Sequence, residues 1–265
     1  ADTPEQTGIP ADCDLVVSVA RGTTLEKNGV KVATVEHLMA GIFGLQIDNL
    51  LIELDGIEIP IMDGSSAPFI EVLLAAGLEE QAEEREIYEL RETIKYVDDE
   101  KGVEMLAMPS SNYKITALID YQSKVLGQQH SSIDNIADFE QEFSKARTFC
   151  FLHELEYLVE ANVIKGGYLN NAIVVVDQLV SEKELEKLRI IFDKPDVAVE
   201  KEGILNNVKL RYPNEPARHK LLDVIGDLAL IGTPVRANII ASKPGHKTNI
   251  EFAKKLKALV KKARH

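Results

Sequence analysis

Apolar positions along the chain fall into several rhythms, and each predicts an element. Val35, Leu38, Met39 and Ile42 recur at helical spacing behind Thr34, a side chain suited to capping a first turn. Gly41 and Gly44 loosen the end of that helix. Residues 49–54 (Asn-Leu-Leu-Ile-Glu-Leu) read as a strand, and residues 60–62 as a short extended piece. Asp63-Gly64-Ser65-Ser66 then turns into a second helix carrying Phe69, Ile70, Val72, Leu73 and Leu74, which Gly77 stops. Antiparallel strands follow at 87–97, 103–108 and 113–121, with turns at 98–102 and 109–112 between them. A helix is expected over 151–162, ending at Gly166-Gly167, and a buried strand over 172–176. Further helices are expected over 181–191, over 216–231, and from near Asn249 to the basic end.

Strands and helices do not alternate regularly, so the pattern predicts α+β layers and not a doubly wound parallel sheet. The charged stretch 79–86 reads either as an interdomain connection or as a solvated helix end. No Walker loop and no Gly-x-Gly-x-x-Gly is present, which removes the support for a nucleotide-hydrolysing or dinucleotide-binding fold. The longest strand-like apolar run falls far short of the roughly 18 residues that a spanning helix needs.

Composition narrows the classes further. Among 265 residues, 30 Lys+Arg stand against 43 Asp+Glu, a net charge of −13. That balance argues against a general nucleic-acid binder, which needs a basic face to displace counterions. An anionic small molecule remains open, because a few local cations outweigh distant acids. Cys13 and Cys150 form neither a disulfide framework nor a Cys-x-x-Cys clip. The first residues carry no basic and apolar regions of a secretory signal, so a cytoplasmic protein is expected.

Candidate chemistry begins at Glu215-Pro216-Ala217-Arg218-His219-Lys220-Leu221-Leu222-Asp223-Val224-Ile225-Gly226-Asp227-Leu228. On a helix His219, Asp223 and Asp227 form one stripe, with Leu221, Leu222, Ile225 and Leu228 roughly opposite. A solvated polar face is one reading. The other is half of a zinc site, because a His-x-x-x-Asp pair brings nitrogen and oxygen to one point. A metal then needs a third ligand, which Glu36-His37 in a first helical turn could supply. His246 lies on a Pro-Gly turn between Lys243 and Lys247, whose charges should lower its pKa.

These segments occur in order: Thr34-Val35-Glu36-His37-Leu38, Pro60-Ile61-Met62-Asp63-Gly64-Ser65, Ala146-Arg147-Thr148-Phe149, the block from Arg218 to Leu228, and the Lys243-to-His246 loop. The set closely resembles the UDP-3-O-acyl-N-acetylglucosamine deacetylases, zinc amidases that commit a sugar nucleotide to lipid A synthesis. The resemblance implies His37, His219 and Asp223 as zinc ligands, Glu36 as general base and His246 as the acid that protonates the leaving amine. It implies Thr148 as the hydroxyl that helps stabilise the oxyanion, and Lys220, Phe149 and Asp227 as residues lining the site, with Asp227 orienting His246. It also implies two similar two-layer α/β halves with the active site between them, here residues 1–82 and 83–265. The helix expected over 151–162 would then border an acyl passage, with Leu152, Leu155, Leu158 and Val159 as candidate lining.

Members of that family open with several dozen more residues, including a Gly-Leu-His segment, so the first half is expected to be truncated. The stretch from Ser181 to Glu202 resembles the branch fused to a C-terminal 3-hydroxyacyl-carrier-protein dehydratase. Arg218, Lys220, Lys243 and Lys247 are then expected to receive a diphosphate. The basic end reads as a solvated helix face, a linker, or a contact with the inner face of the cytoplasmic membrane near a lipid-tailed substrate. A zinc amidase acting on another acylated amino sugar and a non-catalytic ligand-binding domain are the alternative functions.

Overall fold

A computed structural model describes residues 8–154, 171–192 and 194–264, and these form a mixed α and β fold. A small antiparallel sheet comes first, from β1 (Val16–Ser18), β2 (Thr24–Lys27) and β3 (Val30–Val32). Helix α1 (Glu36–Gly44) and helix α2 (Ala67–Ala76) follow. The largest sheet holds β4 (Tyr88–Glu89), β5 (Ile94–Asp98), β6 (Val103–Pro109), β7 (Lys114–Asp120), β8 (Gln128–Ile133) and β11 (Val235–Ser242). Its order is β5-β6-β11-β7-β8, with β4 pairing parallel to the start of β11. A short helix, α3 (Phe139–Glu142), leads to a parallel pair of strands, β9 (Phe149–Phe151) and β10 (Ile173–Val175). Helices α4 (Glu182–Phe192), α5 (Glu215–Ala229) and α6 (His246–Ala263) complete the elements.

Period-two burial explains how the large sheet meets the helices. Met105 and Ala107 on β6, Ile115 and Ala117 on β7, and Ala237, Ile239 and Ala241 on β11 are all buried. They form one apolar core with Leu221, Leu222 and Ile225 of α5 and Phe252 and Leu256 of α6. The alanines leave room for α5 to lie close over the central strands.

Several expectations need correction. Thr34 does not cap α1: it takes a left-handed φ of +59° and its hydroxyl donates to Glu58 Oε1 at 2.7 Å. Residues 49–54 are not a strand, because no ladder among the described residues pairs them and Leu51 stands 85% exposed. The strand expected over 87–97 is broken in two: β4 pairs with β11, where Leu90 N–H also bonds to the Arg236 carbonyl, and only β5 pairs with β6. Phe151 belongs to β9, not to a helix. Of the expected acyl-passage helix, Leu152 is buried, while Leu155, Leu158 and Val159 lie outside the described residues. Helix α6 begins at His246, ahead of the expected Asn249. No helix among the described residues is long and apolar enough to cross a membrane.

Candidate active site

The first turn of α1, the whole of α5 and the start of α6 converge on one buried polar cluster. Helix α5 is buried nearly all round, so the stripe of His219, Asp223 and Asp227 faces the interior and not solvent. It meets α1 across Gly226, where an added Cβ would lie 2.0 Å from the Glu36 carbonyl oxygen. Only a residue without a side chain allows that approach. The Ser66 hydroxyl donates to the His37 carbonyl at 2.6 Å and fastens the same turn to the start of α2.

His37, His219 and Asp223 are all buried, and their candidate ligand atoms lie within 4.8 Å of one another. His37 Nε2 is 3.7 Å and His219 Nε2 is 3.4 Å from Asp223 Oδ1. Donors held tetrahedrally at zinc's usual bond lengths lie about 3.4 Å apart, so the spacing fits a metal ion. Two buried atoms here, His37 Nδ1 and Asp223 Oδ1, have no hydrogen-bond partner among the described residues. Such orphans are costly unless something else satisfies them. His219 Nδ1–H donates to the Ala146 carbonyl at 3.1 Å, which fixes the tautomer that presents Nε2 to the cluster.

Protonation agrees with a ligand role. Burial, with the charge of His219 beside it, pushes His37 down to about 3. Burial likewise lowers His219. Burial alone would raise Asp223, but His219 and Lys220 outweigh it and hold the carboxyl well below the usual range. Two neutral imidazoles and a carboxylate suit a borderline divalent metal.

Glu36 and His246 flank this group. Glu36 is buried and its pKa rises to about 7, mainly from burial, with Asp227 and Asp223 adding to the rise and His246 opposing it. His246 Nδ1–H donates to Asp227 Oδ2 at 2.9 Å. Its Nε2 faces Glu36 Oε1 at 3.9 Å and Asp223 Oδ2 at 4.0 Å. The expected depression of His246 is overturned: burial does work against its charge, but Asp227, with Asp223 and Glu36, outweighs burial and raises the imidazole to about 9. Gly22 leaves space for the Glu36 carboxylate, since a Cβ there would come within 2.7 Å of Oε1.

Lys220 donates to Asp223 Oδ2 at 2.7 Å, and its ammonium lies 5.6 Å from the Phe149 ring centre. Burial works against its charge, but Asp223, with Tyr121 and Asp227, more than offsets it and the pKa of Lys220 is raised. Thr148, half-buried beside Phe149, accepts at its carbonyl from Ile173 N–H and donates its own N–H to the Gly64 carbonyl. Arg218, expected in a cationic cluster, is held by partners of its own. Its guanidinium packs 4.5 Å from the Tyr212 ring centre and 5.1 Å from that of Phe143, and bonds to Asn214 and the Glu142 carbonyl. Lys243 lies 3.6 Å from Asp120 Oδ2.

Two groups escaped the sequence reading. Arg147 and Glu215 form a buried ion pair, Nε to Oε1 at 2.8 Å, that latches the 146–149 segment to the first turn of α5. In the sequence its members stand in two separate motifs, Arg147 within 146–149 and Glu215 at the head of the α5 block, with nothing to pair them. Thr23 is the other: its N–H donates to Glu36 Oε2 at 2.8 Å and its hydroxyl to Asp227 Oδ1 at 2.5 Å. Nothing in the sequence near Thr23 announced it.

A carboxylate and an oriented imidazole beside a His₂Asp donor set are the elements of a metal-dependent hydrolase. The chain belongs to the LpxC family, described as UDP-3-O-acyl N-acetylglycosamine deacetylase, which it matches over residues 1–190 and 194–258. It is 48% identical over 259 residues to the bifunctional enzyme LpxC/FabZ of Chlorobaculum tepidum, covering 97% of this chain and 55% of that protein. The bifunctional enzyme LpxC/FabZ of Bacteroides thetaiotaomicron is 41% identical over 97% of this chain and 56% of its own length. The UDP-3-O-acyl-N-acetylglucosamine deacetylase of Myxococcus xanthus is 39% identical over 96% of this chain and 73% of its own length. The chain thus spans little more than half the length of the bifunctional relatives.

Proposed function

We propose that this protein hydrolyses the acetamide of UDP-3-O-(3-hydroxyacyl)-N-acetylglucosamine, releasing acetate and a free 2-amino sugar nucleotide in the committing step of lipid A biosynthesis. The observation that carries this reading is the buried His37, His219 and Asp223 group with Glu36 and His246 on its flank. Family membership supplies the substrate class. The proposal places one Zn²⁺ on His37, His219 and Asp223. When bound there, zinc supplies Lewis-acid polarisation of the amide carbonyl and makes a water molecule more acidic.

Glu36 Oε1 takes a proton from the attacking water, for which a pKa near neutrality suits a base. Thr148 Oγ1 donates to the carbonyl oxygen as that atom gains charge. His246 Nε2–H gives its proton to the amide nitrogen as the C–N bond breaks, because an amine leaves poorly unless protonated. A pKa of about 9 keeps that proton in place at neutral pH. Asp227 holds the imidazole through Nδ1 and sets its direction. Lys220 and Phe149 face the substrate, with the Lys220 ammonium contributing positive charge beside the site.

The two halves at residues 1–82 and 83–265, with the site between them, belong to the same proposal. The small and large sheets and the position of α1 against α5 support it. Its similarity to two LpxC/FabZ enzymes supports a native protein that also carries a fused dehydratase. A lipid-tailed substrate sets the expected workplace in the cytoplasm beside the inner membrane face. The test is acetate release from the UDP-linked substrate compared with the same acylated sugar lacking the nucleotide. The reading expects release that favours the UDP form. No release from either overturns it, and equal release from both overturns the assigned substrate.

A further inference from the structure

We propose that Thr23 is the positioning residue that sets the base and the acid of this site against each other. The proposal rests on reading Glu36 as the base and the Asp227–His246 pair as the acid. Thr23 stands immediately before β2 and is wholly buried. Among the described residues, it is the one whose hydrogen bonds reach both arms of the machinery. Its N–H donates to Glu36 Oε2, leaving Oε1 towards His246 Nε2. Its hydroxyl donates to Asp227 Oδ1, leaving Oδ2 for His246 Nδ1–H and Asn249 Nδ2.

Asp227 has no exposed surface, so no bulk water replaces a lost donor at Oδ1. Its carboxylate plane is fixed from both ends, and among the described residues Thr23 alone fixes the end away from His246. Remove the hydroxyl and a buried carboxylate oxygen is orphaned, which drives the group to rotate and slackens its hold on the imidazole. The acid then loses its direction while the metal donors, on another stretch of α5 and on α1, keep theirs.

Thr23→Val deletes the hydroxyl, and Thr23→Ser restores it; both keep the N–H to Glu36. With the UDP-linked substrate, Thr23→Val should lower kcat by about 10–100-fold, with KM and bound zinc within about twofold of wild type. Thr23→Ser should return most of that rate. A second readout needs no turnover: the hydrogen-bonded Nδ1–H resonance of His246 in ¹⁵N-histidine-labelled protein. It should be present in wild type and Thr23→Ser, and shifted or lost in Thr23→Val. Wild-type kcat together with an unchanged resonance in Thr23→Val would overturn the proposal. So would Val and Ser variants impaired equally and only in proportion to a lowered Tm. If wild type releases no acetate but the resonance still moves in Thr23→Val, the positioning role stands and the deacetylase reading falls.

Discussion

Each residue of the site is chosen by what it can do without water. Glu36 sits in the first turn of α1, where a carboxylate is favoured by the helix end, yet burial brings its pKa to about 7. Glu36→Gln should retain zinc and lose about 10²- to 10⁴-fold in kcat, checked by steady-state rates beside metal analysis. One side of the proposed site is legible in the sequence, because His219, Asp223 and Asp227 repeat at one helical turn. The environment of His246 was not. Lys243 and Lys247 are its neighbours in sequence, but Asp227, 19 positions away, is its neighbour in space and reverses the sign of its shift. Thr23 was invisible for the same reason, since its partner Asp227 lies 204 positions along the chain. Single-residue chemistry reads well from a pattern; its electrostatic setting comes from the fold.

Elements position that chemistry through close packing and through one buried ion pair. At Gly226 the neighbour is backbone, so it cannot swing aside to admit a methyl group. Gly226→Ala should therefore destabilise the protein by about 1–3 kcal/mol or more, read from urea unfolding, and should lower activity by displacing Glu36. Glu215→Ala leaves the buried Arg147 guanidinium uncompensated, and a loss of about 3–5 kcal/mol is expected by the same measurement. The helices were legible because their apolar faces repeat over many residues. Strand β11 was missed although it is the centre of the large sheet: Val-Arg-Ala-Asn-Ile-Ile-Ala-Ser buries alanines, which carry little hydrophobic signal. Strand β8, Gln-Gln-His-Ser-Ser-Ile, lies at the other extreme, a polar edge strand that declares itself only through its ladder to β7. Residues 49–54 mislead in the opposite direction, an apolar run that finds no ladder among the described residues.

At the scale of the whole molecule the net charge of −13 describes the surface, while the site is organised by paired charges inside. The basic last helix is absorbed in the same way: Lys257 bonds Asp12 and Asp14, Lys261 bonds Asp14, and Lys255 bonds the Lys95 carbonyl. Acid should loosen the fold through such pairs. Burial opposes ionisation of Asp63, but hydrogen bonds from Ser65 and the Arg211 guanidinium outweigh it and hold its pKa below the ordinary carboxylate value. Its contribution is therefore complete above the unfolded value of about 4 and is lost as pH falls through the lower folded value. Asp63→Asn should lower stability near neutrality and flatten the acid side of the urea-midpoint profile.

Metal content coupled to turnover tests the proposed deacetylase most directly. Purified protein should bind one zinc per chain, lose acetate release when a chelator removes it, and recover on adding zinc, while His219→Ala neither holds the metal nor recovers. Full turnover by the metal-free protein, or wild-type zinc binding by His219→Ala, would contradict it.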